Sequence, residues 1–183
     1  YNAGRGRVRE WLGDRQGALA DWDQASTAAP GQPEPYLMRG RVELDLGHCY
    51  QGEAEIKRAI KLASGYLAQG RQERTTQAVM LNLRGMAYSL LEQYRPALAD
   101  LEAALALDST AWAVHVNLAR VYLAMGHREP ALAALQQALT LRPAAVALIR
   151  RSAAFRALHD DPAFKRLLMQ ARNGQRVAGN GRS

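Results

Sequence analysis

One cysteine, Cys49, stands among 183 residues, which excludes an internal disulfide framework and any metal site built on several thiolates. No stretch approaches the roughly 18 uninterrupted apolar residues that a membrane span requires, so no membrane insertion is expected. Strand formers are sparse, and no glycine-rich phosphate loop follows a strand. The four histidines, His48, His115, His127 and His159, are scattered. His48 beside Cys49 cannot coordinate a metal without further ligands that the sequence does not place, and His115 stands in the register of Tyr36 and Leu81, where packing explains it. Asp160 and Asp161 precede Pro162 and read as a helix cap, not as an acid–base pair. The expectation is a protein with no catalytic residue, no metal and no cofactor, and therefore not an enzyme.

Charge of one sign is also scarce over most of the chain. Residues 1–149 hold sixteen basic and fifteen acidic side chains, a net +1, while residues 150–183 hold eight basic and two acidic ones, a net +6. The basic end carries a single aromatic pair, Phe155 and Phe164, spaced for burial. Stacking platforms for nucleic acid are not evident, so a solvated basic cap is favoured over a nucleic-acid site, whose affinity would fall steeply with salt. Arginine outnumbers lysine 21 to 3, a bias expected of a GC-rich, bacterial genome. Tyr1 opens the sequence in place of Met with no charged-then-apolar leader, as expected of a processed form or a fragment.

What is abundant is alanine and leucine, and they recur in phase. "ALADW" at 18–22 returns as "ALADL" at 97–101 and "ALAAL" at 131–135. Around these, four series keep the same steps: Gly6, Gly13, Ala18, Trp22, Ala25, Pro30; Gly40, Gly47, Gly52, Ile56, Ala59, Ser64; Gly85, Glu92, Ala97, Leu101, Ala104, Ser109; and Ala119, Gly126, Ala131, Leu135, Ala138, Pro143. The series are 34 residues apart except between the second and third, where eleven more residues intervene. Such a period marks a solenoid whose unit is a helical hairpin, buried only against its neighbours. Glycine inside a helix costs about 1 kcal/mol relative to alanine, so the first small residue of each series predicts a close helix crossing. The second position is expected to cap the first helix. Pro96 and Pro130 fall at the start of a second helix, where a missing N–H is harmless. Arg5, Arg39 and Arg84 are each followed sixteen residues later by Asp21, Glu55 and Asp100, whereas the fourth series has Leu118 and Ala134 in both places. The joint change predicts a facing pair across each hairpin, worth about 0–1 kcal/mol if exposed.

The segments "YLMRGRVELDLG", "LNLRGMAYSLLE" and "VNLARVYLAMG", each followed by the A/G-x-x-x-φ-x-x-A spacing, resemble the tetratricopeptide repeat (TPR) family. Departures are Glu92 for a turn glycine, Ser64 and Ser109 for a closing proline, and Gly52 for alanine. The resemblance implies an all-α, right-handed α-solenoid of antiparallel hairpins. Four hairpins are expected over residues 1–143, at about 1–32, 33–66, 78–111 and 112–145, with an insertion near 66–77 that either lengthens helices or forms a loop. Capping helices are expected over 144–172, with "AAVALIRRSAAFRAL" as one helix, and a disordered tail over 173–183.

In this family the first helix of each hairpin lines a concave groove for a partner segment. Carried onto this chain, the groove is Arg7, Glu10 and Trp11; Leu37, Arg41, Leu44 and Asp45; Asn82, Met86 and Ser89; and Val116, Asn117, Arg120 and Leu123. Arg7, Arg41 and Arg120 share one register, where guanidinium groups can hold a partner's carboxylates or backbone; the competing reading is a solvated helix face neutralised by Glu10 and Asp45. The two-carboxylate clamp known in the family uses paired Lys and Asn, and no Lys stands on these faces. The expected function is a protein or peptide interaction scaffold. The alternatives are the repeat portion of a larger chain or assembly and, less favoured, a nucleic-acid-binding array.

Overall fold

The structure is a computed structural model that describes residues 2–70 and 73–180, with side chains over 4–70 and 73–173. Every regular element among the described residues is helical, and the chain divides into two compact units between Leu107 and Asp108. The first unit holds α1 (Asn2–Leu12), α2 (Arg15–Ala28), α3 (Pro33–Asp45), α4 (Cys49–Ala68), α5 (Arg74–Leu90) and α6 (Tyr94–Leu107). They pack as the hairpins α1/α2, α3/α4 and α5/α6. The second unit holds the hairpin α7 (Trp112–Ala124) and α8 (Arg128–Leu141), then a 3-10 turn at Pro143–Ala145, α9 (Val146–Arg151), a second 3-10 segment at Ala153–Leu158, and α10 (Pro162–Asn180).

The repeated positions explain the hairpins. Trp22, Ile56, Leu101 and Leu135 occupy one register and are all fully buried. The first three lie against the glycine of their first helix: a Cβ on Gly6 would stand 2.9 Å from the Trp22 ring, one on Gly40 2.7 Å from Ile56, and one on Gly85 2.9 Å from Leu101. The turn register is equally regular, with φ of +84° at Gly13, +84° at Gly47, +58° at Glu92 and +79° at Gly126. The N–H of the next residue reaches back to the carbonyl five positions earlier, as from His48 to Glu43 and from His127 to Tyr122. This is the Schellman closure of a helix. Its geometry dictates the left-handed conformation even at Glu92, where glycine is missing.

The eleven extra residues are taken up mainly as helix. α4 has 20 residues where α2 and α6 have 14, and α5 has 17 where α3 and α7 have 13. Pro30 and Pro143 stand just beyond the ends of α2 and α8, but Ser64 in that register lets α4 continue to Ala68. Its hydroxyl then accepts a hydrogen bond from Arg84 at 3.1 Å. At Ser109 the helix stops regardless, because the Asp108 carboxylate takes the Thr110 N–H at 2.9 Å.

All three sixteen-residue pairs form. Arg5 donates to Asp21 at 2.8 Å, Arg39 to Glu55 at 2.7 Å, and Arg84 to both Asp100 oxygens at 2.7 Å. The acids lie deeper than an exposed pair, with Asp21 at 1% and Asp100 at 7% exposure. Arg39 also reaches Asp23 on the preceding hairpin at 2.7 Å, and Arg84 reaches Ser64, so these arginines tie hairpin to hairpin. In the fourth repeat Leu118 and Ala134 are buried instead.

The hydrogen bond from Arg5 holds the Asp21 carboxyl below its ordinary range, against the opposing effect of burial. A carboxyl whose value is lower folded than unfolded stabilises above the unfolded value near 3.9, and that stabilisation is lost as pH falls through the folded value. Asp21→Asn is therefore expected to lower the thermal midpoint at pH 7 and to flatten its decline below about pH 4. Thermal melts of the two proteins at stepped pH check this, and parallel declines in acid would exclude the contribution.

In the second unit, "AAVALIRRSAAFRAL" is not one helix. Ser152 is extended, at ψ 125°, and splits it. Ile149 and Phe155 are both fully buried, yet six residues apart on a continuous helix they would point roughly 120° away from each other. The break aims both inward. Asp161 caps α10 by accepting the N–H groups of Ala163 and Phe164 at 2.8 and 3.3 Å, and it also takes the Arg128 guanidinium at the start of α8. α10 continues to Asn180, past residue 172 where the sequence suggested an end and into the segment expected to be disordered. Residues 181–183 of that segment lie outside the described residues.

Candidate functional site

The first helices of the first unit share a face. α3 packs on α5, and α1 is joined to α3 by two ion pairs, Arg7 with Glu34 and Arg41 with Glu10. Glu10 has a second duty, accepting the Trp22 indole N–H at 2.6 Å. The Arg41 guanidinium is thus held by a carboxylate that is itself fixed by the core. Arg7 is the more open of the two, with its side chain 63% exposed against 26% for Arg41.

Beside Arg7, Trp11 is 55% exposed. Asp45 is exposed, and Leu44, Asn82, Met86 and Ser89 are half-buried. Leu44 leans on Gly52 across the α3/α4 crossing. In the second unit Arg120 and Leu123 are half-buried, and the Arg120 guanidinium donates to Ser152 at 3.4 Å.

Three residues expected in the groove are not on an open surface. Leu37 is fully buried, Val116 is 4% exposed and Asn117 7%. Leu37 lies one helical turn from Arg41 on the same stripe, but it joins the core of Trp22, Ala25, Tyr36 and Ile56. In the second and fourth repeats the positions two and three before the mid-helix small residue are buried, as Leu37, Met38, Val116 and Asn117 show. Those one, four and five after it, such as Arg7 and Trp11, reach solvent. Glu34 escaped the sequence reading, because its 27-residue separation from Arg7 is out of phase with the repeat.

Among the described residues no three His, Cys, Asp or Glu side chains gather so as to hold a metal ion, and no helix is long and apolar enough to cross a membrane. His48 bonds Glu43 through Nδ1 at 2.6 Å on an exposed turn, and Cys49 beside it is exposed.

The tetratricopeptide repeat family model matches residues 90–154. No curated protein matches the chain by sequence. Among solved structures, a chain of the APC/C hetero-tetramer Cut9–Hcn1 is 19% identical with a TM-score of 0.52; the match covers 93% of this chain and 29% of that one. MamA of AMB-1 is 18% identical with a TM-score of 0.50, over 95% of this chain and 99% of that one. At these identities the likeness is one of fold, and it is the fold built above from close-crossing hairpins. The family model places a tetratricopeptide repeat match at residues 90–154, and the hairpins of the described residues share that fold.

Proposed function

We propose that the protein is a non-catalytic scaffold that binds a segment of another protein along the first helices of the hairpins in its first unit. The observation that supports this reading best is the half-open stripe on those helices, where Trp11 stands largely in solvent beside Arg7. Tryptophan and arginine are the side chains that most often dominate interface energetics, because each combines a large contact area with a fixed polar geometry. Arg7 and Arg41 already have carboxylate partners, so an arriving acid exchanges one ion pair for another and adds orientation more than affinity. Affinity then rests on apolar contact with Trp11 and Met86 in the first unit.

The test is affinity capture followed by calorimetric titration of the captured segment. Trp11→Ala is expected to weaken binding by about 30-fold or more, the loss of an interface anchor worth roughly 2 kcal/mol. Met86→Ser and Arg7→Ala are expected to give smaller losses. A segment whose affinity all three substitutions leave unchanged binds elsewhere, and the first-helix reading fails.

A further inference from the structure

The capping end of the second unit departs from what a cap requires. A terminal element should turn a polar outer face to water, yet Met169 on α10 is 59% exposed. It lies at a cleft of about 380 Å³ between α9 and α10, with Val146 and Leu168 as its other apolar lining and Arg150, Lys165 and Arg172 also lining it. Val146 is buried and Leu168 half-buried, while the three cations are exposed. The cleft is at the small end of ligand-pocket sizes, roughly 300–1,000 Å³, so it takes side chains and not a whole helix.

The charge around it is uncompensated. Residues 142–173 carry seven basic and two acidic side chains. Asp161 is committed to Arg128 and to capping α10. Asp160 meets Lys165 at 3.4 Å but is itself fully exposed. Arg150 and Arg172 form no ion pair among the described residues.

We propose that the α9–α10 cleft docks an acidic, amphipathic helical segment of a partner protein. The apolar side chains of that segment would enter over Val146, Leu168 and Met169, and its carboxylates would meet Arg150, Lys165 and Arg172. Methionine suits such a seat because its unbranched thioether adapts to the shape presented. The cations stand on both α9 and α10, around a recess, and a flat lipid surface does not fill a recess. Among the described residues no aromatic ring lines the cleft to stack a base, which disfavours nucleic acid.

Fluorescence anisotropy with the intact protein tests the proposal. The probe is a labelled helical peptide of about 16 residues, long enough to hold a helix, with Leu and Phe on one face and Glu on the other. Micromolar binding is expected. It should fall at least tenfold with Arg150→Glu/Arg172→Glu, with Met169→Ser, and with a probe whose Glu residues are replaced by Gln. Arg41→Ala, on the first unit, should leave it unchanged, which separates this surface from the first-helix face. Circular dichroism of each variant confirms that it is folded. The proposal is overturned if the acidic probe does not bind, or if the Gln probe binds as tightly. It is equally overturned if phosphatidylserine vesicles or duplex DNA bind in its place and are the ligands lost in the variants.

Discussion

Trp22→Ala is expected to destabilise the first unit by about 3–5 kcal/mol, the cost of emptying a fully buried large aromatic site. The ring is completely enclosed, and it fills the space that Gly6 leaves open on α1. Alanine cannot bridge that gap, so the α1/α2 crossing loses its contact surface. The indole N–H also fixes Glu10, and Glu10 holds Arg41 on the next hairpin, so the loss reaches α3. In a linear array each unit is stabilised chiefly by its neighbours, and the damage should therefore be graded along the chain. Within the first unit hydrogen exchange should rise most in α1 to α3 and least in α6, with the thermal midpoint down by roughly 6–20 °C. Trp22→Phe divides the effect: it keeps most of the volume but drops the hydrogen bond, and about 1–2 kcal/mol is expected. If Trp22→Ala melts like the wild type, this register does not carry the hairpin.

How much of this was legible beforehand depends on whether the cause was local. The crossing positions could be read because physical exclusion leaves only Gly or Ala, and a restriction repeated four times shows in one sequence. The sixteen-residue ion pairs were legible for a related reason: both partners become apolar together in the fourth repeat. Leu37 was misplaced because it shares a helical stripe with Arg41, and periodicity cannot say that the Trp22 core covers one turn and leaves the next open. The Arg7–Glu34 pair joins residues at unrelated phases, so no spacing announces it. At the capping end the sequence showed a run of cations around Phe155 and Phe164. It did not show that the chain breaks at Ser152, or that Arg150 and Arg172 then flank the same apolar recess. Composition reports charge, while apposition of α9 with α10 depends on the fold.

The close crossing itself can be tested by the sign of a single substitution made at two places. Glycine to alanine inside a helix is ordinarily favourable by up to about 1 kcal/mol. At Gly65 on α4 an added Cβ meets nothing within 4 Å, so Gly65→Ala should gain most of that. At Gly40 the added Cβ would stand 2.7 Å from Ile56 Cγ1 and 2.8 Å from the Gly52 carbonyl oxygen. The reverse contact is as tight, since a Cβ on Gly52 would lie 2.9 Å from the Gly40 carbonyl oxygen. A side chain can rotate away from a clash, but these two backbones cannot, and relief requires the helices to separate. Overpacking costs about 1–3 kcal/mol and occasionally more. Gly40→Ala should therefore lose about 1–2 kcal/mol net of its helical gain, and Gly40→Val, with two further methyl groups, about 3 kcal/mol or more. Urea unfolding monitored by circular dichroism measures all three. Opposite signs at Gly65 and Gly40, with valine worse than alanine at Gly40, are the expected outcome. A gain at both positions would mean that α3 and α4 do not approach at Gly40 and Gly52, and the hairpin register would have to be redrawn from a different set of small residues.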